Sequence, residues 1–362
     1  MSPDLTPALR LAGRGLVAAG ALAVGAALGA VAERSFMRTV SGVPGDDALL
    51  GGLRGEVRTF VLADGTVLHV EIDEAQDPPD DLTIIFAHGY ALTLDSWHYQ
   101  RVALRGRARL VFYDQRSHGR SSRAEFDTHH VDQLGADLSD LIDEFAPTGP
   151  LLLVGHSMGG MTIMALADRR PELFRERVYG VALIATTAGG VDSTELGMPV
   201  GLGRAIHQLA PPIAAALASR APLLDRLRWQ DTDLGLMLTR SYGFGSTATE
   251  QASRFVASML SSTPLEVVSE FLPALQEHDK RSALAVLENV ELLVLVGDSD
   301  RLTPRAASDE IVAAVPGAEY VVVADCGHMI AIEKAAEVNA ALLDLLGRVR
   351  RDVADDSAAP GE

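Results

Sequence analysis

Six short, mainly apolar runs recur along the chain without polar alternation: Leu82–Ala87, Arg109–Tyr113, Leu151–Gly155, Val178–Ile184, Leu292–Val296 and Tyr320–Val323. A strand with one wet face alternates, so unbroken runs belong to strands covered on both faces, and the stretches of helical length between them supply the covers. The pattern predicts an α/β fold: a mostly parallel central sheet with helices on both faces. An antiparallel N-terminal hairpin precedes it. There Glu56–Leu62 and Thr66–Ile72 flank Ala63-Asp64-Gly65, whose Asp-Gly is a strong hairpin turn signal.

One interval breaks the rhythm. Between the strand ending near Thr186 and Leu292 lie about a hundred residues with helical patterning and no clear strand, too many for a bare loop in a compact domain. Residues 191–288 therefore read as a helical lid inserted between two parts of one core, 53–190 and 289–350. The whole chain of 362 residues suits one large domain carrying such an insertion. Residues 351–362, rich in Asp, Ala, Pro and Gly, read as a disordered tail, and residues 1–52 as a targeting or anchoring segment with a linker.

In that first segment, Arg10 and Arg14 precede an apolar run from Leu16 to Ala32. As a helix the run spans about 25 Å, close to the roughly 30 Å hydrocarbon core, which suits a membrane anchor. Ala30-Val31-Ala32 equally fits a signal-peptide cleavage site. The expectation is a chain exported, or associated with a membrane through residues 11–32. The alternative is an Ala-rich helix packed on a cytoplasmic body, which the five glycines between Gly13 and Gly29 disfavour. Apolar residues at 48% and charged ones at 22% allow a sizeable core. The net charge of −18 sets the surface against phosphate backbones, so nucleic acid is not an expected partner. A single cysteine, Cys326, excludes an internal disulfide and a cysteine-rich zinc site.

The chemistry concentrates at strand ends. Gly155-His156-Ser157-Met158-Gly159 follows one apolar run and opens a helical stretch, where flanking glycines permit a tight turn that lifts a serine hydroxyl above the sheet. A serine hydroxyl needs a base, and the base needs a third group to orient it. His328, in Ala324-Asp325-Cys326-Gly327-His328-Met329 just past the last run, is the candidate base. Asp300, in the loop Gly297–Pro304, is the candidate acid because it lies further from its strand end than Asp298, which suits a turn. Asp192, beyond the preceding strand, also competes. Acyl transfer further requires donors for a developing oxyanion. The N–H groups of Met158 and of Tyr90, in His88-Gly89-Tyr90, are the candidates. His129-His130 reads as a surface pair, Cys326 as a packing residue, and no metal site or cofactor is expected.

Together with Ser96-Trp97 and Tyr113-Asp114-Gln115-Arg116-Ser117-His118-Gly119-Arg120-Ser121, these motifs resemble the α/β-hydrolase superfamily over roughly Glu56 to Gly347. The likeness is to its lid-bearing esterase, lipase and cofactor-free haloperoxidase members. Many members carry Arg-Gly where this chain has Arg116-Ser117 and then His118-Gly119. The resemblance implies an α/β-hydrolase fold and a Ser157–His328–Asp300 serine hydrolase acting on small apolar esters. It also places Tyr90, Trp97, His98 and Met158 around the acyl pocket. Haloperoxidase or perhydrolase chemistry, carbon–carbon bond hydrolysis and ligand binding without turnover are the alternatives. Ser157 stands where epoxide hydrolases and haloalkane dehalogenases carry an aspartate.

Overall fold

A computed structural model describes residues 50–75, 81–189, 233–246 and 248–358. Eight strands form one sheet in the order β1-β2-β4-β3-β5-β6-β7-β8. Strands β1 (Glu56–Val61) and β2 (Val67–Asp73) are antiparallel, and β2 is antiparallel to β4 (Arg109–Tyr113). From β4 onward all pairs are parallel: β3 (Thr83–Ala87), β5 (Leu151–His156), β6 (Val178–Ile184), β7 (Glu291–Gly297) and β8 (Glu319–Val323). The Asp-Gly signal is realised, with Gly65 at φ 85° and the Asp64 carboxylate accepting from Thr66 N–H at 2.9 Å.

The unbroken runs are unbroken for the expected reason. Along β5, Leu151 and Leu153 enter one core, with Leu138, Leu141 and Ile142 of helix α2 (Val131–Phe145). Leu152 and Val154 enter the other, with Leu342, Leu345 and Leu346 of a C-terminal helix. Every residue of β3 and β5 is buried. β1, at the sheet edge, is almost wholly exposed.

Helix α1 spans His98–Leu104, α3 Met158–Arg169 and α4 Pro171–Glu176. Between β6 and β7 come α5 (Asp233–Gly243), α6 (Glu250–Ser262), α7 (Leu265–Glu277) and a 3-10 helix, Arg281–Asn289. The first three are the described part of the expected lid; the helical runs at Leu202–Leu217 and Leu223–Leu227 lie outside the described residues. The insertion closes earlier than its expected end at 288. Gly189 bridges Asp279, Lys280 N–H donates to Ala188 O, and Ala283, Leu284 and Leu287 already lie in the main core.

Helices α8 (Arg305–Ala314), α9 (Ile330–Glu333) and α10 (Ala335–Ala358) complete the core. α10 corrects the expected disordered tail, since it continues to Ala358. Its extension is held by buried Val349, by Val353 against the core and by Tyr179 Oη donating to Asp356 Oδ2 at 2.8 Å. Residues 11–32 lie outside the described residues, among which no helix is long and apolar enough to cross a membrane.

The chain runs from β3 to β4 on one side and then returns past β3 to β5 on the other. At such a reversal the loops leaving the carboxyl ends of β3 and β5 diverge and open a crevice. The loops carrying Tyr90 and Ser157 leave those two ends.

Candidate active site

β5 passes into α3 through one residue, Ser157, at φ 53° and ψ −118°. That is costly for a residue with a Cβ, and it persists only where the surroundings over-determine it. Here they do. A Cβ on Gly159 would lie 2.0 Å from Ala87 O, and one on Gly155 2.5 Å from Gly159 O, so α3 sits directly on the neighbouring backbone. Ser157 N–H donates to Ile184 O at 2.9 Å, and Ser157 O accepts from Thr186 Oγ1 at 2.7 Å. A serine before a helix ordinarily spends its hydroxyl capping the first turn. Ser157 makes no such bond, so its backbone is pinned while its half-buried hydroxyl is left for other work.

His328 stands between β8 and α9, and its Nδ1–H donates to Asp300 Oδ2 at 2.9 Å. Asp300 is buried and Asp298 exposed, so of the two competing carboxylates it is Asp300 that meets the imidazole. Asp298 serves the turn, as its Oδ1 accepts from Ser299 Oγ at 3.0 Å. Asp192 lies outside the described residues. Asp300 Oδ1 accepts the N–H groups of Leu302 and Thr303 at 2.8 and 3.0 Å, and Oδ2 also accepts the Thr303 hydroxyl at 2.9 Å. Burial pushes the Asp300 pKa up, but the His328 charge and hydrogen bond, with the Thr303 and Leu302 amides, outweigh it and hold the carboxyl below the usual range.

His156, the variable residue before the serine, was not singled out from sequence, yet it ties the two halves of the site together. Its Nε2–H donates to His328 O at 2.9 Å, and the two rings lie 4.9 Å apart. Burial, helped by the nearby His328 charge, pushes its pKa down to about 3, so this ring is a neutral brace. A second brace holds the Tyr90 loop. His88 Nδ1–H donates to Gly89 O at 2.8 Å, its Nε2 accepts Gln115 N–H at 2.9 Å, and the Gln115 side-chain amide reaches His88 O at 2.6 Å. Thr162 Oγ1 bonds Gln115 Oε1 at 2.9 Å, joining this loop to α3. The one signal that could have found Gln115 is a polar residue two positions past the end of a buried strand.

Among the described residues, neither Tyr90 N–H nor Met158 N–H donates to a backbone acceptor. The Tyr90 side chain reaches the insertion instead, its hydroxyl donating to Val268 O of α7. Trp97 and His98, the other two expected pocket residues, stand at the start of α1. Trp97 is 1% exposed and packs 5.3 Å from Phe86, under the site. His98, half-buried, opens α1 with its ring 5.3 Å from Tyr99. His129 is buried rather than on the surface: Nδ1 lies 2.9 Å from Glu270 Oε2 of α7, and Nε2 meets Ser117 Oγ at 2.8 Å. His130 caps α2, accepting Gln133 N–H at 3.1 Å. Cys326 is fully buried, and burial together with Glu333 pushes its thiol pKa up. No group of three or more metal-ligating side chains occurs among the described residues.

A positive-φ serine linking a buried parallel strand to its following helix, at the crevice of a sheet whose first strands run antiparallel, defines the elbow-bearing class of α/β proteins. Within that class, the profile of the Alpha/beta hydrolase family matches residues 84–341, and the chain belongs to that family. It is 28% identical over 275 residues to the dihydrolipoyllysine-residue acetyltransferase component of the acetoin cleaving system of Cupriavidus necator. That match covers 73% of this chain and 63% of the relative, so the chain spans less than two thirds of that relative's length. It is 34% identical over 95 residues to a bifunctional esterase/perhydrolase of Acinetobacter calcoaceticus, covering 26% of this chain and 34% of the relative. A solved thermophilic esterase from Thermogutta terrifontis shares the fold, with a TM-score of 0.61 at 20% identity over 82% of this chain and 99% of that one.

Proposed function

We propose that the protein is a serine hydrolase that cleaves small apolar carboxylic esters, with Ser157 as nucleophile, His328 as general base and Asp300 as its orienting acid. The observation that carries this reading is a histidine whose Nδ1–H is committed to a buried carboxylate and whose backbone carbonyl is bonded by His156, the residue before a serine withheld from helix capping. In the neutral ring that commitment fixes the tautomer with the lone pair on Nε2, the form a general base needs. Ser157 Oγ attacks the carbonyl carbon as its proton passes to His328 Nε2. The negative charge moving to the carbonyl oxygen is met by the N–H groups of Tyr90 and Met158. Collapse expels the alcohol, which takes the proton from the imidazolium, and the acyl group remains on Ser157. Water, deprotonated by the same imidazole, then releases the acid and restores the serine.

The experiment is fluorophosphonate labelling with a chain-length series of p-nitrophenyl esters, on wild type and Ser157→Ala. Wild type is expected to be labelled and to turn esters over, and the alanine variant to do neither while keeping its thermal midpoint. Labelling that survives in Ser157→Ala sinks the assignment. A second reading is favoured by the match to the esterase/perhydrolase: hydrogen peroxide in place of water would leave as a peracid from the same acyl-enzyme. Peracid formation from ester and peroxide, lost in Ser157→Ala, is its test.

A further inference from the structure

The loop that carries His328 is not held by the sheet alone. It lies backbone to backbone against the turn Gly243-Phe244-Gly245, where α5 of the insertion ends. A Cβ on Gly327 would lie 2.4 Å from Phe244 C, and one on Gly245 2.8 Å from Asp325 O. Met329 N–H donates across the join to Gly243 O at 2.7 Å. Two further amides converge on one side chain. Gly327 N–H donates to Glu333 Oε2 at 2.8 Å, and Gly245 N–H to Oε2 and Oε1 at 2.9 and 3.0 Å. Glu333 ends α9, five residues after His328, and is half-buried. Phe244, Met329 and Ile332 close an apolar cluster around the join, and that cluster also takes in Leu92 from the Tyr90 loop.

We propose that Glu333 is a positioning residue for the reaction. Its carboxylate fastens the residue preceding His328 to the helical insertion, so the seating of the insertion sets where the imidazole stands. Charge-assisted bonds to backbone amides are strong and directional, and a carboxylate bridging two amides locks both. A glutamine offers one acceptor oxygen and turns an NH₂ toward an N–H donor. An aspartate keeps the charge but is one methylene too short to span both amides. The inference rests on His328 acting as the base, and the experiment separates the two.

Glu333→Gln and Glu333→Asp are compared with wild type for kcat and KM on p-nitrophenyl acetate, for the rate constant and final extent of fluorophosphonate labelling, and for thermal midpoint. For Glu333→Gln, kcat and the labelling rate are expected to fall together by about tenfold or more, the scale of a sub-ångström misplacement, with KM within about threefold and labelling still reaching completion. Glu333→Asp is expected to recover part of the loss and carries the test if the glutamine variant does not fold. A purely structural residue would lower the midpoint and the labelled fraction while leaving the rate per labelled site unchanged. That result in either folded variant overturns the proposal and leaves the Ser157 assignment intact. A wild type that is not labelled at all overturns both.

Discussion

Asp300 shows how much one side chain can be asked to do. Its two oxygens take four donors, three from its own loop and one from His328, and that crowding keeps it ionised despite burial. In Asp300→Asn the oxygen can stay with the Leu302 and Thr303 amides, which turns the NH₂ group toward Nδ1 and favours the wrong imidazole tautomer. The expected outcome is kcat lower by roughly 10³–10⁴ with KM little changed, the size of effect such a tautomer switch produces in serine hydrolases. Steady-state kinetics check it, and a loss under about tenfold would remove Asp300 from the proposed role. At this scale the candidate residues were legible because each lies within a few residues of the end of an apolar run. The braces were not. His156 and Gln115 are ordinary polar residues until the fold brings them against His328 O and His88.

At the scale of elements, the decisive contact is α3 lying on the ends of β3 and β5. Gly159 makes it possible, because any Cβ there would fall 2.0 Å from Ala87 O, far inside contact distance. Gly159→Ala must push helix and strand apart, a distortion expected to cost about 3 kcal/mol or more, as overpacking against rigid backbone does. The thermal midpoint should fall by about 5–10 °C, on the scale of a domain this size, and fluorophosphonate labelling should fail even at temperatures where the fold survives. An unchanged midpoint would show that the elbow has room to spare.

The strands were legible to within a residue or two, since burial on both faces demands unbroken apolar runs. The ends of the insertion and the tail were not. The 3-10 helix at Arg281–Asn289 looks like more lid until Leu284 and Leu287 are seen in the core. The last turns of α10 look like a polar tail until Val353 and Asp356 find partners far away in sequence.

Across the whole molecule, buried neutral histidines set the response to acid. Burial pushes His88 and His156 down to about 3, and His118 and His278 down to about 4. In the unfolded chain all four titrate near 6.5, so their contribution is fully present above that pH and is lost as pH falls, when the unfolded state takes up protons the folded state refuses. Asp114 acts with the opposite sign. Burial raises it to about 6, so between pH 4 and 6 it holds a proton in the folded state only. The depressed histidines outnumber it, so unfolding takes up protons and stability falls as the pH drops below about 6.5. Urea titrations between pH 7 and 4 measure the slope directly, and a flat profile would mean that these rings are protonated in the folded protein.

Read along the chain alone, the residues already specify the sheet, its covered faces, the place of the insertion in chain order and the strand ends at which chemistry could sit. Those follow from local rules, namely periodicity, turn residues and glycines at a tight bend. Long-range packing settles that Asp300 rather than Asp298 meets His328, that Ser157 is relieved of capping, and that Glu333 joins the His328 loop to the insertion. Each of these depends on which backbone amides and carboxylates become neighbours after burial, and that is set by packing between segments far apart in the chain.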